Sequence, residues 1–277
     1  MSCNVEAKPK IRFTEVCSSA DIDNPFGIKY IDDQRRLSPE QRRANQRFYD
    51  RNAEEYAKYR AWTPKTEQAI KDGLLRHVEK YLKKGDRVLV IGTGTGRDQD
   101  LLQKIEGKSL TCFGLDLSKE MLLQAGQRFD DHVIQANATQ GLPFINESFD
   151  FIYCEAAAEH MDEDDLYVLL PEFKRVLKKN VEREGQILFN VRMGTGEILA
   201  AEDKDMMGYS NDLGEDVFTK YYVTYDPGQL EEIFRKNHLT RVEQWTGRGG
   251  TPNVQAVLPW LTSILKVNNY ESSVENI

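Results

Sequence analysis

The chain is 277 residues long, 40% hydrophobic and 30% charged, with a formal net charge of −8. That balance excludes wholesale disorder, and the excess of acid makes a polyanion a poor partner, so no nucleic acid is expected. No apolar run approaches the roughly 20 residues that cross a bilayer, and the opening MSCNVEAKPK carries charge where a secretory leader is apolar. The expectation is a cytoplasmic protein without a membrane span. Cys3, Cys17, Cys112 and Cys154 are scattered with no CxxC pair, which favours reduced thiols and no metal site. Composition leaves monomer and homodimer both open.

Residues 1–37 mix charges without periodicity and read as a flexible N-terminal arm. Ser38, Pro39 and Gln41 then supply an N-cap, a first-turn proline and a capping-box partner, predicting a helix to about Arg60. Thr63 and Pro64 repeat the start signal, and Ile70, Leu74, Leu75, Val78 and Leu82 space a second amphipathic helix, so residues 38–84 form an N-terminal helical lid. From there short apolar runs alternate with helical stretches. The runs are 87–92, 110–116, 132–137, 149–155, 186–192 and 240–247, and the helices lie near 97–106, 118–129, 162–179 and 227–237. This is the pattern of an α/β, doubly wound, Rossmann-like and mostly parallel seven-stranded sheet with helices on both faces. The seventh strand is expected from 253–261 beside the sixth, with Pro259 limiting it to an edge or an end; the alternative is that this run opens a terminal helix. The domain then covers 85–262, with an insertion at 193–222 suited to a lid and a tail at 263–277.

Between the first apolar run and its helix stand Gly92, Thr93, Gly94 and Gly96, in VLVIGTGTGRD. Glycines there allow a tight turn and let backbone approach a ligand. The spacing is GxGxG, and the dinucleotide pattern GxGxxG would need glycine where Arg97 stands. Asp116 ends the next run, so loop and carboxylate should meet at the carboxyl edge of neighbouring strands, where a carboxylate can accept from both ribose hydroxyls of a nucleoside.

Several segments together resemble the class I S-adenosylmethionine-dependent methyltransferases, in their small-molecule, ubiquinone-biosynthesis-like branch. They are YDRNAEEYAKYR, VLVIGTGTG, GLDLSKEML, NATQGLPFINESFDFIYC, AAAEHM and FKRVLKKNVEREGQILFNV, in that order from the first helix to the fifth strand. The resemblance implies S-adenosyl-L-methionine as cofactor. It places Gly92, Thr93, Gly94 and Gly96 against the methionine part, Asp116 on the ribose and Leu117 beside the adenine. It further puts Asn137 and Ala138 at the adenine amino group, Cys154 and Glu155 on the methyl-transfer side, and Arg60 near the cofactor carboxylate. Val90 and Asn137 depart from the acidic residues the family often carries at those positions.

A sulfonium methyl is already activated, so transfer by in-line displacement needs alignment and exclusion of water, with a base as an aid. His160, then Glu159, follow the fourth strand on the cofactor side and are the candidate bases. Tyr49, Tyr56, Met193, Tyr209 and Tyr222 are candidate walls of an acceptor pocket. The expected activity is methyl transfer to oxygen or nitrogen of a small molecule. The alternatives are a non-catalytic methyltransferase-like subunit serving a partner and, with less support from the glycine spacing, a nicotinamide-dependent oxidoreductase.

Overall fold

A computed structural model describes residues 29–31, 36–59, 74–129, 132–180, 183–196, 198–202, 219–247 and 259–268. Strand β1 (Lys29–Ile31) precedes helix α1 (Pro39–Tyr59). The start of α1 is the capping box that the sequence announces: Gln41 N–H donates to Ser38 Oγ and Ser38 N–H to Gln41 Oε1, at 3.2 and 2.7 Å. Then come β2 (Arg87–Ile91), α2 (Arg97–Gln103), β3 (Thr111–Asp116), α3 (Lys119–Phe129), β4 (Val133–Gln135), β5 (Phe151–Cys154) and α4 (Glu163–Val176). A two-residue pair, β6 (Lys179–Asn180) and β7 (Arg183–Glu184), leads into β8 (Gln186–Met193). The chain continues through β9 (Ile198–Glu202), β10 (Thr219–Tyr225), α5 (Pro227–Lys236), β11 (Leu239–Gly247) and β12 (Trp260–Val267).

Seven of these strands form the sheet the sequence predicts, side by side as β4, β3, β2, β5, β8, β12 and β11. β12 runs antiparallel to both of its neighbours, and the other pairings along the core of the sheet are parallel. β5 is buried along its whole length and β2 beyond Arg87, because helices cover both faces. On one face Leu166, Leu169, Leu170 and Phe173 of α4 pack with Leu230, Ile233 and Phe234 of α5. On the other, Leu75, Val78 and Leu82 pack with Leu101 and Leu102 of α2. The winding reverses between β2 and β5, and in open α/β sheets ligands bind at the carboxyl edge of such a switch point.

Three predicted boundaries change. The seventh strand occupies 260–267 and inserts between β8 and β11, so 263–267 belong to the sheet and not to a tail. Pro259 sits just before it, where the missing N–H costs no ladder bond. Within the predicted insertion, β9 and β10 pair antiparallel, and β10 continues from the end of β8 beyond the point where β5 stops, at Thr224 with Arg192 and Tyr225 with Met193. β1 adds to the outer edge of β9, so Lys29–Ile31 is a strand within the predicted arm. Residues 60–73 of the predicted second helix lie outside the described residues, and Arg76–Val78 is helical. No helix of the described residues is long and apolar enough to cross a membrane.

Candidate functional site

At the switch point lies a cavity of ≈ 580 Å³, within the range of about 300–1,000 Å³ that encloses small ligands. Its floor is the turn after β2. Gly92 and Gly96 both have positive φ, +65° and +75°. A Cβ on Gly92 would stand 2.5 Å from that of Ala157, and one on Gly96 2.5 Å from the Phe129 ring. Glycine is therefore fixed by backbone and by packing at both positions. Gly96 then starts α2; packed against Phe129, it shapes the turn and, unlike the assignment made from the sequence, does not line the cavity.

Loop and carboxylate meet directly. Gly94 N–H donates to Asp116 Oδ2, and Ser118 N–H to Oδ1, each at 2.8 Å. Burial pushes the Asp116 carboxyl above its ordinary value, and the amides of Ser118, Gly94 and, least, Leu117 work in the opposite direction. Helix α1 closes this side, since Ser118 Oγ donates to Asp50 Oδ1 at 2.6 Å. It is held at two further places. Arg42 pairs with Asp162 and Asp165, the carboxylates of the capping box that opens α4. The Asn45 amide bonds both backbone groups of Tyr221, donating to its C=O at 2.9 Å and accepting from its N–H at 2.7 Å.

That carbonyl decides the chemistry of His160. It lies 2.8 Å from His160 Nδ1 and can only accept, so Nδ1 carries the proton. Nε2 then has a lone pair and accepts from the Tyr49 hydroxyl at 2.8 Å. Burial lowers the imidazole pKa, outweighing the nearby Glu159 carboxylate, so the ring is neutral at pH 7. Both ring nitrogens are thus engaged, and the Tyr49 hydroxyl is the outer member of the pair.

The structure brings Gly92, Thr93, Gly94, Asp116, Leu117, Asn137, Ala138, Glu155, His160, Tyr49 and Tyr56 together around the cavity. Other sequence assignments need correction. Cys154 points into the hydrophobic core with its thiol pushed up to about 12 by burial, so it is no part of the lining. Glu159 is buried and ion-paired with Arg192 at 2.6 Å, so its carboxylate is committed to a partner and is not a free base. Met193 packs on the core, and Tyr222 is buried against the His160 ring, centroids 5.0 Å apart; neither walls the cavity. Asn137 lines the cavity, but its carbonyl oxygen already accepts from Thr139 N–H and Thr139 Oγ, at 3.0 and 2.8 Å. What it has left to offer is an N–H donor, which suits an adenine ring nitrogen and not the amino group. Arg60 and Tyr209 lie outside the described residues.

Sequence reasoning missed the far wall, made by Asn190, Trp245, Gly247, Trp260 and Thr262. It also missed Arg42 and Asn45, which sit on the predicted helix but act on partners more than 100 residues away.

The strand order, the glycine turn and the carboxylate at the end of β3 together define the class I methyltransferase fold. In agreement, residues 89–182, a third of the chain, match the model of a methyltransferase domain family. An uncharacterized methyltransferase of Bacillus subtilis, YcgJ, is 28% identical over 182 residues, 60% of this chain and 66% of that protein. Among solved structures, a 1,6-didemethyltoxoflavin-N1-methyltransferase of Burkholderia thailandensis, with bound 1,6-didemethyltoxoflavin and S-adenosylhomocysteine, superposes with a TM-score of 0.58 at 19% identity, covering 90% of this chain and 98% of that one. DhpI, in complex with SAH, gives 0.59 at 16% identity, covering 84% and 100%. At these identities the structural likeness concerns the fold.

Proposed function

We propose that this chain is an S-adenosylmethionine-dependent methyltransferase that modifies oxygen or nitrogen of a small molecule. The observation that carries the reading is the Gly94 to Asp116 hydrogen bond at the floor of the cavity. It joins a bare backbone turn to a carboxylate that keeps lone pairs to spare, since an ionised carboxylate has about four acceptor sites and the two backbone amides use two. Those residues fit an adenosyl group. Asp116 would hold the ribose, Leu117 and Ala138 flank the base, Asn137 donates to it, and Gly92 to Thr95 present backbone to the methionine part. The Burkholderia neighbour's bound S-adenosylhomocysteine and 1,6-didemethyltoxoflavin support both the cofactor and a small acceptor.

S-adenosylmethionine, when bound, supplies a methyl group already activated by its sulfonium. The chain's part is to orient the acceptor and exclude water, which α1 does through its three anchor points. Tyr49 and His160 are the groups placed to take an acceptor proton. The acceptor donates to Tyr49 oxygen while Tyr49 passes its own proton to His160 Nε2. The resulting imidazolium lies 3.7 Å from Glu159 Oε1. Calorimetry with S-adenosylmethionine, S-adenosylhomocysteine and NAD tests the assignment. Binding of the two sulfur compounds and not of NAD is expected; a preference for NAD overturns it.

A further inference from the structure

We infer that the far wall of the cavity is a shelf for one flat, uncharged aromatic or heteroaromatic ring, which makes such rings the acceptor class; the inference rests on the methyltransferase reading above. Its basis is strand register. Asn190 pairs with Thr262 and Thr262 with Trp245; one step along, Arg192 pairs with Trp260 and Trp260 with Gly247. Partners across a sheet, and residues two apart, share a face. The two rows therefore lie on the same face of β8, β12 and β11, at the carboxyl edge.

Trp245 and Trp260 are diagonal neighbours on this face, a relation that sets side chains roughly 7–8 Å apart. A flat ring makes contact at about 3.5–4.0 Å, and two indoles on one face give it apolar surface to lie against. The residue completing the square is Gly247, where an added Cβ meets no atom within 4 Å among the described residues. Among the described residues, space is thus left beside Trp260.

Both indoles are held in place by ring contacts with fixed side chains, His77 itself lining the cavity. The Trp245 ring stacks on His77 at 4.2 Å and 15°, and His77 Nδ1 is fixed by Glu243 at 2.8 Å. The Arg192 guanidinium lies 3.7 Å from the centre of the Trp260 ring and is itself fixed by Glu159. Trp260 already serves one cation of the protein, so a second cation on the opposite face of the ring gains less from it, which disfavours ammonium acceptors. The polar edge of the shelf is also specific. Asn190 Oδ1 accepts from Ala156 N–H at 3.3 Å and its Nδ2 donates to Thr262 Oγ1 at 3.0 Å. A second amide hydrogen and the threonine hydroxyl remain as donors, suited to a ring carbonyl or ring nitrogen. Ala156 lies in the turn after β5, so this edge adjoins the proposed methyl-transfer side.

The test is calorimetry on the full chain, first with S-adenosylhomocysteine alone, which reads the cofactor assignment separately. Three flat probes, lumazine, quinazolin-4-one and indole, are then titrated with and without S-adenosylhomocysteine, against choline and 6-aminohexanoate. At least one flat probe should bind at least tenfold more tightly than choline. Gly247→Val, which puts a side chain into open space, should weaken that probe at least tenfold while S-adenosylhomocysteine affinity stays within twofold. Trp245→Ala should weaken it as well, providing a second reading if the valine variant folds poorly. Failure of all three flat probes, equal binding of choline, or indifference to both substitutions overturns the shelf. Loss of S-adenosylhomocysteine binding in the wild type instead overturns the cofactor assignment, and the probes titrated alone still judge the shelf.

Discussion

Replacing Asp116 by alanine tests the proposed cofactor site at its centre. Each carboxylate oxygen already accepts one backbone N–H at 2.8 Å, which leaves about one further acceptor site per oxygen, enough for two ribose hydroxyls. Hydrogen bonds to a charged partner are worth about 1.5–3 kcal/mol each, so losing two removes about 3–6 kcal/mol. At 1.4 kcal/mol per tenfold, affinity for S-adenosylhomocysteine should fall on the order of 10²- to 10⁴-fold, nearer the lower end once water replaces the side chain. The melting temperature should change far less, because burial of the charged carboxylate is unfavourable in the free protein and its removal offsets the two lost amide contacts. The same shift gives a pH dependence. Protonation removes the acceptor charge, and since the folded pKa lies above 3.8, affinity should fall at milder acidity than an ordinary aspartate would cause. Calorimetry from pH 4 to 8 alongside thermal unfolding measures both. An Asp116→Ala protein that binds within threefold of wild type, with its fold intact, refutes the argument.

Three further outcomes are expected. Glu159→Ala should destabilise the protein by about 3–5 kcal/mol in urea titration, because it leaves the buried Arg192 without its carboxylate; a loss under 1 kcal/mol would mean the pair is not formed. His160 has its folded pKa lowered from 6.5 by burial, so its contribution to stability is fully present above 6.5 and is lost as pH falls through the folded value, the unfolded state then binding the extra proton. Comparing urea midpoints of wild type and His160→Asn from pH 5 to 8 should show a steeper acid loss in wild type, and parallel curves would contradict it. Arg42→Ala should loosen α1, costing about 1–3 kcal/mol once the arginine's partial exposure is allowed for. Hydrogen exchange should then quicken in 39–59 before the sheet, and uniform exchange would count against α1 as a closing element.

What the sequence disclosed and what it hid divide along one physical line. The Ser38 to Gln41 capping box, the Gly92 to Gly96 turn and Asp116 at a strand end are local, and the structure has each where the residues indicated. The Asx turn at Asn137 is equally local, yet the resemblance assigned the adenine amino group to a carbonyl that Thr139 already fills. Glu159 was not legible. Its partner Arg192 lies 33 positions on, on a strand whose neighbour is fixed only when β12 inserts between β8 and β11. The same insertion brings Trp260 and Trp245 to the carboxyl edge, so the far wall could be read only after the strand order was known. The apolar pattern of β12 marks a strand but carries no signal for its place in the sheet.

The contacts of α1 form a closed circuit with the residues proposed to move the proton. Asn45 on α1 fixes Tyr221 of β10; the Tyr221 carbonyl fixes the proton on His160 Nδ1; Nε2 must then accept from Tyr49, which returns to α1. A neutral imidazole keeps this circuit in one arrangement, and burial keeps the imidazole neutral. If a proton reaches Nε2, His160 becomes a donor on both nitrogens and Tyr49 oxygen becomes its acceptor, so the phenol hydrogen must turn toward the cavity. The helix that shuts the site thus also determines which way the Tyr49 hydroxyl points. Loosening α1 should therefore reduce turnover more than the loss of a cover alone, because it frees the tautomer of His160 as well as admitting water.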